Sequence, residues 1–181
     1  MDENYICSMK ENERPTVTVK LKPYLQEFLK SEIRRNLASK RNIIGAILLP
    51  LLEKRPVDVP PFIPKGPDYI RFTLPFTKDK NIRGDLWISP ANQEMFERYL
   101  EWHFKQLFYH YMHDKVRYCR SFKKTILQFC SDYDFTMTYI NYEMLKKDFY
   151  RERIRKKAGK SLPLSVPGLS PGFSGLFNSL N

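Results

Sequence analysis

SPANQEMFERYLEWHFKQLFYHYMHD, residues Ser89 to Asp114, decides the fold. Ser89 followed by Pro90 is a helix start. The serine side chain can accept from first-turn N–H groups, and proline at the first helical position gives up an N–H that would lack a partner anyway. Beyond it Phe96, Tyr99, Leu100, His103, Phe104, Leu107, Phe108, Tyr111 and Met112 recur at the i, i+3, i+4, i+7 spacing of one helix face. Glu94, Glu97, Arg98, Glu101 and Lys105 hold the other face. Six turns of this pattern predict a long amphipathic helix, the central scaffold of the protein.

Upstream, TVTVKLK (Thr16–Lys22) alternates strictly, with Val17, Val19 and Leu21 on one side and Thr16, Thr18, Lys20 and Lys22 on the other. That is the pattern of a half-buried strand. Pro23 then opens a helix over PYLQEFLKSEIRRNLA, whose inward stripe is Leu25, Phe28, Leu29, Ile33 and Leu37. Ile43–Leu52 is apolar but half the length a membrane helix needs, and it contains Pro50, so it reads as a buried helix. Arg55–Pro67 has five prolines and a glycine and must be a loop. Tyr69–Phe76 is a second strand candidate, with Pro75 marking its end, and Asp85–Ser89 is a short strand expected to close a hairpin with it. VTVKLKPYLQEFL and GDLWISPANQEMF both read as a strand running into a proline-led helix.

Downstream, Phe122–Tyr133 carries a stripe of Phe122, Ile126, Phe129, Cys130 and Tyr133. A helix from Tyr142 to about Ala158 follows, with Thr138 or Asn141 as its cap and Gly159 as its terminator. The last 21 residues, Ser161–Asn181, are rich in proline, glycine and serine and have no charge. The expected fold is mainly α with a small β component, an α+β chain. It divides into a strand-helix-helix segment (1–60), a hairpin plus the long helix (61–118), a helix-turn-helix-like unit packed on that helix (119–160) and the uncharged tail (161–181).

The net charge of +11 is unevenly spread. Residues 1–60 have 11 basic and 8 acidic side chains, residues 61–114 have 7 of each, and residues 115–160 have 13 basic and 5 acidic. A positive field concentrated in about a quarter of the chain points to a polyanionic partner, because neutralising phosphates releases counterions. On a helix over Tyr142–Lys157, Lys147, Arg151 and Arg155 form a ridge at i, i+4, i+8, away from the inward Tyr142, Leu145 and Phe149. Lys146, Arg153 and Lys157 line a second edge, and Tyr150 lies between. The competing reading is a solvated helix held by Glu143–Lys147 and Glu152–Lys156 pairs. Those pairs use few of the cations.

Three cysteines (Cys7, Cys119, Cys130) without a CxxC give neither a disulfide framework nor a zinc site, which fits a reducing cytoplasm. The stretch MDENYICSMKENERP is acidic and polar, unlike a signal peptide. His103, His110 and His113 share one helix, and a metal would need ligands from a second element as well. No GxGxxG, GxxxxGK[ST], GxSxG or HExxH occurs, so no enzyme, cofactor or catalytic residue is expected. Tyr150 among arginines has the composition of a strand-transfer nucleophile, but arginines at these helical spacings do not converge on one phosphate.

The segment FKKTILQFCSDYDFTMTYINYEMLKKDFYRERIRKK resembles helix-turn-helix DNA-binding proteins of bacterial and phage type, although it lacks the glycine common in their turn. The resemblance implies a recognition helix in the major groove of double-stranded DNA. The residues in contact would be Lys123, Lys124, Lys146, Lys147, Tyr150, Arg151, Arg153, Arg155, Lys156 and Lys157. TVTVKLKPYLQEFLKSEIRRNLASKRNIIGAILLPLLEKR is similar to the ribbon-helix-helix family. It implies that Thr18, Lys20 and Lys22 face DNA from a strand paired across a homodimer. Pairing of that strand with Tyr69–Phe76 would instead make it part of an ordinary sheet. Together the resemblances imply a cytoplasmic transcription regulator or accessory factor of a mobile element or phage. The alternatives are RNA binding through exposed aromatics, and an assembly adaptor that binds proteins through its basic helix and apolar tail. No membrane association is expected.

Overall fold

A computed structural model describes residues 15–32, 38–39, 41–60, 66–75, 86–116, 121–136, 140 and 142–159. The expected continuation of the first helix through Ile33–Leu37, the cap at Thr138 or Asn141 and the tail lie outside them. The chain is mainly helical with two small sheets. Its elements are β1 (Thr16–Lys20), α1 (Pro23–Glu32), α2 (Ile43–Leu48), β2 (Leu52–Lys54), β3 (Tyr69–Thr73), β4 (Leu86–Ile88), α3 (Pro90–Val116), α4 (Phe122–Asp132) and α5 (Tyr142–Lys157).

Two compact units emerge: Met1–Leu21 with Ile33–Phe96, and Lys22–Glu32 with Glu97–Asn181. The division falls inside α3, and it differs from one read along the sequence by assigning α1 to the second unit.

In the first unit β1 pairs antiparallel with β3, in the register Thr16↔Thr73 to Lys20↔Tyr69. Val17, Val19, Ile70 and Phe72 point into the core, as strict alternation requires. On the far edge of β3 the Thr73 carbonyl accepts from the Ala38 N–H at 2.9 Å. The predicted β3–β4 hairpin does not form. β4 pairs instead with β2, Leu52↔Ile88 through Lys54↔Leu86. β2 exists because the apolar helix is shorter than its hydrophobicity predicts. Asn42 caps α2 through the Gly45 N–H at 2.7 Å, but α2 has only six residues. Pro50 lacks the N–H to continue it, so the chain tightens into a 3-10 turn and then extends. Gly45 is required here: a Cβ would sit 2.2 Å from the Ser39 backbone.

The second unit has an aromatic core. Leu25, Phe28 and Leu29 of α1 are fully buried, and Phe28 packs edge-on against Phe104 of α3 at 5.6 Å. Phe108 and Phe129 join α3 to α4, with centroids 5.0 Å apart, and Phe149 of α5 meets Phe108 at 6.2 Å and Phe122 at 5.3 Å. Each such pair adds about 0.5–1.5 kcal/mol beyond area burial.

Candidate nucleic-acid interface

The candidate surface consists of α4, its exit turn and α5. Ser121 caps α4 by accepting from the Lys124 N–H at 3.4 Å. Lys123 and Lys124 therefore lie in the first turn, where the helix dipole disfavours cations by a few tenths of a kcal/mol. An anion held there would reverse that sign.

The exit from α4 supplies what the sequence lacked. No glycine is present, but Asp134 takes the left-handed conformation, φ 53°, that glycine usually fills. The Phe135 N–H reaches the Cys130 carbonyl at 2.8 Å and the Asp134 N–H reaches Ser131 at 3.4 Å, which is the Schellman pattern. Aspartate tolerates this φ better than most residues. The nine-residue connection from α4 to α5 is nonetheless longer than the three or four residues of a helix-turn-helix turn. Part of it is tied into the core. Phe135 and Ile140 are buried, and Thr136 donates its N–H and hydroxyl to the Glu27 carboxylate at 3.2 and 2.6 Å.

α5 is fixed by Leu145, Phe149 and Glu152, all buried. Glu152 is the residue that the sequence reading placed in the wrong environment. It does pair with Lys156, at 2.9 Å, but its side chain is only 3% exposed and it also bonds His113 Nε2 of α3 at 3.0 Å. The signal was there: Glu152 lies three residues after Phe149 and seven after Leu145, on the core stripe. A buried carboxylate costs several kcal/mol unless it is paired and hydrogen-bonded, and here two donors meet it. Asp148 is engaged as well, by Lys105 at 3.6 Å and the Tyr109 hydroxyl at 3.4 Å.

With those acids turned inward, the remaining cations face out. Lys147, Arg151, Arg153, Arg155 and Lys157 are exposed. None of the five makes an ion pair among the described residues. Lys156 is held by Glu152, and Lys146 pairs with Glu143 at 3.5 Å while lying 5.5 Å over the Tyr142 ring. Glu143 thus takes Lys146, not the expected Lys147. Tyr150 is 45% exposed and stacks on Phe122 at 5.5 Å, which brings the α4 start beside the middle of α5. The last-turn cations Arg155, Lys156 and Lys157 also complement the α5 dipole.

The other candidate residues lie on β1 and just before α1. One edge of β1 is taken by β3, as in the ordinary-sheet alternative. Lys20 is exposed on that ribbon and Thr18 half-buried. Lys22 is consumed by an ion pair with Glu97 at 3.1 Å and by Glu101, which Tyr24 also bonds at 3.1 Å.

Of the histidines, His103 stacks on Tyr99 and packs beside Phe28, and burial holds its pKa below the usual value. His113 serves Glu152 and His110 is exposed. Among the described residues no group of three or more His, Cys, Asp or Glu could hold a metal ion. Cys130 is buried, and burial pushes its thiol pKa up, away from the reactive thiolate. No described helix is long and apolar enough to cross a membrane. Comparison with known proteins gives no family to set beside this geometry: no family model matches the chain, and no curated protein or solved structure is detectably similar to it.

Proposed function

We propose that the chain is a non-enzymatic DNA-binding protein whose outward α5 face, with Lys123 and Lys124 at the start of α4, grips the phosphates of a duplex. One observation carries this reading. Five α5 cations are exposed without an ion-pair partner among the described residues, while Asp148 and Glu152 of the same helix are turned to α3. A solvated helix that needed its cations only for stability would pair them at i, i+4 spacing, and only Lys156 does so. The biological setting inferred from the resemblance, a cytoplasmic regulator or accessory factor of a mobile element or phage, goes with this reading.

The test is fluorescence anisotropy with a random-sequence duplex at 50 and 200 mM salt. Binding through several phosphates weakens steeply over that range, with a slope of about −0.9 per contact on logarithmic axes. A flat salt response, or displacement by single-stranded RNA at lower concentration than by duplex DNA, would overturn the reading.

A further inference from the structure

α5 presents more than cations. Tyr150 and Ile154, one turn apart, are 45% and 67% exposed. At about 100° per residue they form a seam roughly 150° around the helix from the buried line of Leu145, Phe149 and Glu152. The unpaired cations lie on both sides of that seam. Arg153 and Lys157 are on one flank, about 60° away, and Lys147, Arg151 and Arg155 are on the other, about 80° away.

Helix stability does not ask for this arrangement. A β-branched isoleucine is a poorer helix former than lysine or glutamate at an exposed site, and Ile154 gains little burial in return. The major groove of B-DNA has a matching cross-section. Phosphates run along both walls, base edges line the floor, and the width of about 12 Å admits one helix. On that floor the thymine 5-methyl is the group an aliphatic side chain can cover without stranding a hydrogen-bonding atom. The seam is also braced, since the Tyr150 ring stacks on Phe122 at an interplanar angle of 25°.

We propose that Tyr150 and Ile154 are the base-reading line of α5 and that Ile154 covers a thymine methyl, while the flanking cations hold the groove walls. The proposal rests on the DNA-binding reading above and adds to it which part of the helix meets the bases and which base it favours.

The experiment uses the full chain and two duplexes of equal length, one of alternating dA·dT and one with deoxyuridine in place of every thymidine. The second lacks only the methyl groups. The expected result is tighter binding to the dA·dT duplex by about fourfold for each methyl covered, the transfer value of one such group. Ile154→Ala should bind both duplexes alike, because the side chain that would cover the methyl is gone. Ile154 is exposed, so the variant keeps the fold, and circular dichroism verifies this. Equal affinity of the unaltered chain for the two duplexes overturns the proposal and leaves phosphate gripping intact. Discrimination that survives in Ile154→Ala also overturns it. Binding to neither duplex removes the DNA reading itself.

Discussion

Lys22 and the cations of Lys147–Lys157 were both readable as charges aimed at DNA, and the protein treats them in opposite ways. Lys22 is met by Glu97 and Glu101, which stand 75 and 79 residues further along the chain and extend no local pattern around it. On α5 the two central acids are drawn inward, Glu152 to His113 and Asp148 to Tyr109 and Lys105, so its cations are left facing solvent. The same side chain is a stabilising half of an ion pair in one place and an unspent charge in the other. Local charge density therefore says little about the field at a surface until the acids that fold against it are known.

That contrast can be broken by charge reversal. Lys147→Glu with Arg151→Glu and Arg155→Glu should weaken duplex binding by at least about a hundredfold, taking about 1 kcal/mol or more per contact. All three side chains are exposed, so the melting curve should stay near that of the unaltered chain. Lys22→Met should change affinity less than about threefold, below the loss of a free phosphate contact, because that charge is already met by Glu97 and Glu101. If the two variants lose affinity equally, the distinction between the two sets of charges is wrong.

A second variant sharpens it through the inward acid. Glu152→Ala removes the carboxylate that joins α5 to the last turn of α3. Its partners, Lys156 and His113, are themselves partly exposed and can be solvated, so the loss should be about 1–3 kcal/mol in urea unfolding, below that of stranding a buried charge. A leucine at that position should recover part of it, since an apolar side chain of similar volume fits the stripe. Stability unchanged in Glu152→Ala would mean that the buried pair does not hold α5.

The smallest effect lies at Lys22. Burial alone would raise the Glu101 carboxyl pKa, but the hydrogen bonds from Lys22 and Tyr24 outweigh it and leave the group below its ordinary 4.5. The stability this contributes is present above the unfolded pKa and is lost as pH falls through the lower, folded one. Lys22 is raised above 10.5, chiefly by its hydrogen bond to Glu101, so its contribution is present below that value and is lost as pH rises through the folded pKa. Lys22→Met should shallow both limbs of the stability profile by less than about 1 kcal/mol, the scale of a half-exposed pair. A difference between the two profiles that persisted undiminished at low and high pH would contradict the assignment.

Much of the fold was legible because short-range patterns govern it. Strict alternation gave β1 its inward valines, Ser89-Pro90 gave α3 its start, and i, i+3, i+4 stripes gave α4 and α5 their buried faces. Gly159 ends α5 with φ 68°, as its position predicts. What failed was the β3–β4 hairpin, whereas the β1–β3 pairing stood among the alternatives. Nothing in Tyr69–Thr73 or Leu86–Ile88 says which strand lies beside them, because backbone ladders carry no side-chain code and loop closure penalises distant partners only weakly. The candidate site was half legible. Its cations were read from spacing, but the inward turn of Glu152 and the exposed seam at Ile154 depend on which way α5 is rotated about its own axis.

The sequence by itself determined the helical periods, the caps and the concentration of positive charge between Lys115 and Lys160. Those are properties of neighbours within a few turns. The tertiary structure alone decided that β1 joins β3, that Lys22 is neutralised, and that two acids of α5 face α3 while its free cations face water. Each of those outcomes is a balance between desolvation and pairing, and the partner that settles it comes from residues far away in the chain.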